Sequence, residues 1–131
     1  MKTRDNSILP LTPNADHTGK DGYFVNLDAN GQAALVSSAS DIPFGLILEG
    51  LSTDDTDSIA VPGGFAGTAS VKLSASASPV SAGAYLVLTA DGSVEQEQTG
   101  AGARVRVAKA LESGTADELI EAVLIEPLAL S

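Results

Sequence analysis

Cysteine and tryptophan are both missing from the 131-residue chain, and its aromatic rings are few, three Phe and two Tyr. Without cysteine there is no disulfide framework, no thiolate metal site and no thiol nucleophile. Without tryptophan, the stacking platforms common in carbohydrate-binding surfaces are reduced to Tyr23 and Tyr85, and each of these opens an apolar run that needs it for packing. Positive charge is also scarce: seven Lys and Arg stand against seventeen Asp and Glu, for a formal net charge of −10. Phosphate-backbone binding begins with clustered cations, so the composition argues against a nucleic-acid partner. No apolar run approaches the roughly 20 residues that span a bilayer, and residues 1–10 do not carry the apolar centre of a secretion signal.

Ala, Gly, Ser, Thr and short aliphatic residues are what remain. A chain of this length suits one domain with a core of Val, Ile, Leu and Ala. The plainest structural signal is Gly83–Ala84–Tyr85–Leu86–Val87–Leu88–Thr89–Ala90–Asp91–Gly92–Ser93–Val94. Tyr85, Val87 and Thr89 alternate with Leu86 and Leu88, and Asp91–Gly92 supplies the dihedrals of a tight reversal, which predicts a hairpin. About sixty residues earlier, Tyr23–Phe24–Val25–Asn26–Leu27–Asp28–Ala29–Asn30–Gly31 leads into Gln32–Ala33–Ala34–Leu35–Val36 with the same grammar. Gly45–Leu46–Ile47–Leu48–Glu49–Gly50 similarly stands where Ala108–Lys109–Ala110–Leu111–Glu112–Ser113 stands in the second half. The expectation is an all-β domain of short antiparallel strands, compact and β-barrel-like, built of two similar β-units that limit exposed edges.

Residues 1–20 contain Pro10, Pro13, Asn14 and Gly19 and little apolar periodicity, so they predict an extended N-terminal arm preceding a body of residues 21–131. Ile8, Leu9 and Leu11 are its candidate anchors in a groove of a neighbouring subunit, and removal of residues 1–20 is expected to leave much of the body folded. Strands are predicted over residues 22–27, 32–36, 42–49, 58–61, 67–73 and 104–111, besides the second hairpin. Pro43 belongs at a strand beginning or edge. Thr115 and Glu118 have capping-box spacing, read as one turn feeding a last strand that ends before Pro127.

Candidate chemistry is thin. His17 is the sole histidine, and between Asp16 and Thr18 in the predicted arm it is expected to be solvent-exposed, not a general base. Asp54, Asp55 and Asp57 are the best calcium suspects, but they lack the loop length, central glycine and terminal glutamate of a calcium-binding hand, and turn-forming side chains explain them. Neither Gly63–Gly64 nor Gly100–Ala101–Gly102 is followed by the lysine and hydroxyl residue of a phosphate loop. The expectation is therefore no catalytic residue, no metal, no cofactor and no small-molecule substrate. Arg104 and Arg106, on one strand face with Lys109 nearby, are the compact basic feature of the body and a candidate contact to acidic residues of another copy.

Between Gly22 and Leu130 the chain resembles the small tailed-bacteriophage head decoration, or capsid cement, proteins. The resemblance rests on Gly22–Tyr23–Phe24–Val25, Pro43–Phe44–Gly45–Leu46–Ile47–Leu48, Gly64–Phe65–Ala66–Gly67–Thr68–Ala69–Ser70–Val71–Lys72–Leu73 and Val80–Ser81–Ala82–Gly83–Ala84–Tyr85 running into the second hairpin. Val107–Ala108–Lys109–Ala110–Leu111–Glu112 and Ala122–Val123–Leu124–Ile125–Glu126–Pro127 follow in the same order. None of these is a catalytic signature. The resemblance implies a non-enzymatic structural protein of the virion, a homotrimer at local threefold positions on the outer capsid surface, with the major capsid protein as partner. The rival expectations are an extracellular β-module binding carbohydrate or calcium, and an enzyme using paired carboxylates.

Overall fold

In the computed structural model, residues 8–62, 67–100 and 102–131 are described. Residues 1–7 of the predicted arm and Gly64–Phe65–Ala66 of the resemblance lie outside the described residues. The protein is an all-β domain, and its described residues form ten strands in two five-stranded antiparallel sheets. The first holds β1 (Ile8–Leu11), β2 (Phe24–Leu27), β3 (Ala33–Leu35), β4 (Gly45–Glu49) and β5 (Asp57–Ala60), in the order β1-β5-β4-β2-β3. The second holds β6 (Ala69–Lys72), β7 (Tyr85–Leu88), β8 (Val94–Gln96), β9 (Arg104–Ala110) and β10 (Leu119–Leu130), in the order β6-β10-β9-β7-β8. Renumbered within each half, the two orders are the same, so the chain repeats one topology.

The repeat extends to hydrogen bonds. In the first hairpin Asp28 N donates to Gln32 O (2.9 Å) and Gly31 N to Asp28 O (3.0 Å); in the second Thr89 N donates to Ser93 O (2.9 Å) and Gly92 N to Thr89 O (3.3 Å). Gly31 and Gly92 both take positive φ, 75° and 93°, as the reversal requires. With the turns matched, Val25 opposite Gly45 corresponds to Leu86 opposite Ala108, and Ile47 opposite Ile59 to Ala110 opposite Ala122. Pairing Gly45 with Ala108, as read from the sequence, is thus the pairing of the ladders.

Each sheet is curled. β1 and β3 are opposite edges of five strands, about 19 Å apart if the sheet were flat. Yet Pro13, two residues past β1, bridges Ala33 of β3, and two residues reach only about 7 Å. Asn14 N donates to Ala33 O and Ala33 N to Thr12 O, both at 2.9 Å. The second sheet repeats this: Leu73, next after β6, bridges Val94 of β8, and Ser74 N donates to Val94 O (2.9 Å).

Curling encloses one face of each sheet. In the first half Val25, Ala33, Ile47 and Ile59 are fully buried in a cluster of their own, with Leu11, Leu35 and Val61 against it; burial of the two isoleucines and the valine contributes on the order of 1.5–3 kcal/mol each. In the second half the matching positions are Leu86, Val94, Ala110 and Ala122. The other face of the first sheet, through Phe24, Leu46 and Ala60, joins that second cluster and fuses the halves.

Several expectations change here. Residues 8–20 form β1 and a strap across the sheet, paired to β5 from Ile8 opposite Ala60 to Leu11 opposite Asp57. Loss of residues 1–20 would therefore remove an edge strand and the closure at Ala33, and it is expected to disturb the first sheet. The last strand runs through Pro127 instead of ending before it, because the ladder to β9 is interrupted between Leu124 and Leu128 and no donor is needed at the proline. Glu118 Oε1 does accept from Thr115 N (2.6 Å) and Thr115 Oγ1 (3.1 Å), but Glu118 N goes to Thr115 O, closing a turn.

Candidate functional site

The polar chemistry of the protein falls into three places, and the first is buried. His17 is 1% exposed and Asp57 is 0% exposed. Asp57 starts β5 with the parity of Ile59, so its carboxyl points to the enclosed face; the strap carries His17 to meet it. His17 Nδ1 lies 2.5 Å from Asp57 Oδ2, and since a carboxylate only accepts, the ring nitrogen donates. Asp57 Oδ1 accepts from Leu51 N at 2.8 Å, and His17 N donates to Leu51 O at 3.0 Å. Gly50 makes room for this: a Cβ there would come within 2.2 Å of His17 O. The expected exposed histidine is thus corrected to a buried latch. The two buried side chains form a clamp, and no buried side-chain nitrogen or oxygen among the described residues lacks a partner. The parity of Asp57 with Ile59 was the sequence signal for it, hidden by the acidic run before it.

The second place is the loop between β4 and β5. Asp54 and Asp55 are exposed, with Asp55 Oδ2 accepting from Ser52 Oγ at 3.3 Å, while Asp57 is turned inward to His17. The three carboxylates do not converge. Among the described residues, no group of three or more His, Cys, Asp or Glu side chains is placed to hold a metal ion.

The third is the open face of the second sheet. Arg104 and Arg106 share one face of β9, as alternation predicted, and Val105 and Val107 are buried opposite. Both arginines donate from Nε to Glu97, Arg106 at 2.9 Å. Hydrogen bonding from Arg104, ahead of that from Arg106, outweighs desolvation and holds the Glu97 carboxyl below its ordinary range. The Arg106 guanidinium carbon lies 4.3 Å from the Tyr85 ring centre and the Lys109 ammonium 5.3 Å, so the tyrosine is flanked by two cations. Ile8, Leu9 and Leu11, the other candidate contacts, lie in β1 on the opposite sheet, with Ile8 41% exposed.

Other carboxylates serve turns. Burial opposes ionisation of Asp91, but bonds from Ser93 and Thr89 prevail and lower its pKa; Asp41 is lowered first by the Asn26 amide and Asp16 by the Thr18 hydroxyl. Among the described residues no helix is long and apolar enough to cross a membrane. No protein-family model matches the chain, and no curated protein matches it in sequence.

Proposed function

We propose that this is a non-enzymatic decoration protein of a bacteriophage head, binding the outer surface of the mature capsid as a trimer at local threefold positions and stabilising the shell. What supports the reading is the resemblance to the capsid cement proteins of an ordered set of sequence motifs, from Gly22–Tyr23–Phe24–Val25 to Ala122–Val123–Leu124–Ile125–Glu126–Pro127. An all-β domain of two similar five-stranded sheets, with β1 at an edge of the first, also supports the reading. Its polar clusters are occupied by turns, a latch and ion pairs, the economy of a protein that works by surface contact.

Such a protein acts by linkage. Binding the assembled lattice and not separated subunits shifts the equilibrium toward the shell, and three linked copies engage at raised local concentration, so individually weak patches suffice. Ile8, Leu9 and Leu11 at the edge of the first sheet and Arg104 and Arg106 on the face of the second are the proposed contacts to capsid or neighbour. Electron microscopy of heads lacking the protein, before and after its addition, tests the reading. Regular density at threefold positions is expected; unchanged heads at saturating protein would contradict it.

A further inference from the structure

Glycine follows an Asp or Asn at three places in the chain, Asp21–Gly22, Asn30–Gly31 and Asp91–Gly92. Such pairs share a chemistry. The glycine nitrogen, unshielded by a side chain of its own, can attack the side-chain carbonyl carbon of the residue before it and close a five-membered ring. Whether a folded chain permits this depends on how firmly the two partners are held.

Two of the pairs are held. Asp21 Oδ1 accepts from Gly50 N at 2.8 Å, and a Cβ on Gly22 would come within 2.6 Å of Leu119. Asp91 Oδ1 accepts from Ser93 N at 2.9 Å and Thr89 Oγ1 at 2.8 Å, and a Cβ on Gly92 would come within 2.7 Å of Phe24 O. The pair in the β2–β3 turn is loose. Asn30 and Gly31 are exposed, the Asn30 side chain has no hydrogen-bond partner among the described residues, and a Cβ on Gly31 would meet no atom within 4 Å. Asp28 alone holds the tip: its carbonyl accepts from Gly31 N at 3.0 Å and its carboxylate from Asn30 N at 2.9 Å and Gln32 N at 2.8 Å, so one local opening frees the glycine nitrogen. The other described asparagines are worse placed. Asn26 Nδ2 donates to Asp41 Oδ2 at 3.0 Å and is followed by leucine, and Asn14 is followed by alanine.

We propose that Asn30 is a site of spontaneous deamidation in the folded protein, and that the modification loosens the closure of the first sheet. The Gly31 nitrogen forms a bond to Asn30 Cγ, the Cγ–Nδ2 bond breaks, and ammonia leaves with the glycine's proton, with nothing oxidised or reduced. Water then opens the ring at either carbonyl. Opening at Cγ leaves aspartate on an ordinary backbone, whereas opening at the main-chain carbonyl leaves isoaspartate, whose chain path is one carbon longer. Turn type and loop length fix the register of a hairpin. A reversal built on the positive φ of Gly31 and the bond from Asp28 N to Gln32 O (2.9 Å) therefore takes up the extra carbon only by shifting β3. β3 carries Ala33, whose N donates to Thr12 O and whose O accepts from Asn14 N, so the shift falls on the closure itself. The inference concerns the free protein and does not depend on head attachment.

The test compares folded protein with protein unfolded in urea, both incubated in water enriched in heavy oxygen, since every ring that opens leaves label at its own residue for mass spectrometry to locate. Folding is expected to suppress uptake many-fold at Asp21 and Asp91 and hardly at all at Asn30. An Asn30 protected by folding as strongly as Asp91 would overturn the site. Gly31→Ala, which shields the nitrogen, should lower uptake at residue 30 several-fold in both states; unchanged uptake would mean that the ring is not the route. For the consequence, Asn30→Asp supplies the new charge on an ordinary backbone. Aged protein containing isoaspartate should exchange its Ala33 amide several-fold faster than Asn30→Asp does, and equal rates would overturn the loosening.

Discussion

The two halves share a ladder and differ in what they enclose. Where the first half places the Asp57 carboxylate inside its curled sheet, the second places Ile120, 3% exposed; the strap residue His17 has Ala77 about sixty residues on, packed against the second cluster. The same backbone is thus closed once by a hydrogen-bonded polar clamp and once by apolar contact. The edge strands follow suit. β6 buries Ala69 and Val71, whereas β1 is exposed or half-buried throughout and contains Pro10. A weakly anchored edge strand needs another hold, and the His17–Asp57 contact provides it.

The comparison breaks most severely on truncation. Deleting residues 1–20 should abolish cooperative folding of the first half, seen as loss of the urea transition or a large fall in its slope. Next comes the clamp. Asp57→Ala leaves a buried histidine without its partner and should cost about 3–5 kcal/mol in urea denaturation. Copying the second half with His17→Ala and Asp57→Ile together should recover most of that loss, because apolar replacement of a buried pair is often neutral. A double variant as unstable as the single one would mean that the halves are not interchangeable at this point.

The glycines sharpen the comparison on a smaller scale. Both adopt positive φ, so alanine at either costs about 1–2 kcal/mol for the left-handed backbone. Gly92→Ala also drives a Cβ into Phe24 and should cost about 1–3 kcal/mol more, while Gly31→Ala meets open space. Equal losses would remove the argument that only one of the two turns is covered. Smallest is the replacement of Arg104 and Arg106 together by Ser, about 1 kcal/mol or less in the free protein because the pairs are near the surface. Acid should act in the same sense. Asp16, Asp41, Asp91 and Glu97 are held below their ordinary values in the folded state, so they contribute stability above the unfolded carboxylate pKa of about 4, lost as pH falls through the depressed folded values. A stability profile flat through that window would contradict the assignment.

Much of this was legible in the sequence because period-two alternation and Asp-Gly or Asn-Gly turns are local signals. The two hairpins, the all-β class, the arginine face of β9 and the correspondence of the halves all follow from residues a few positions apart. The strap was not legible. Pro10, Pro13 and Gly19 look like a loose terminus in one dimension, and only the curl, which brings opposite edges of the sheet together, gives Thr12 and Asn14 a partner in Ala33. The clamp was hidden for the same reason: His17 and Asp57 are forty residues apart, and each has a bland local explanation. Pro127 misled as a strand terminator because the break in the ladder at that point is a tertiary feature.

Native-state hydrogen exchange on Asp57→Ala tests most directly the claim that the first half is held closed by its buried clamp. The account predicts that amides of both edges of the first sheet, at β1 with β5 and at Ala33 in β3, lose protection together while Leu86, Ala108 and Ala122 of the second sheet keep theirs. Loss confined to the neighbours of His17, or spread evenly over both sheets, would contradict it.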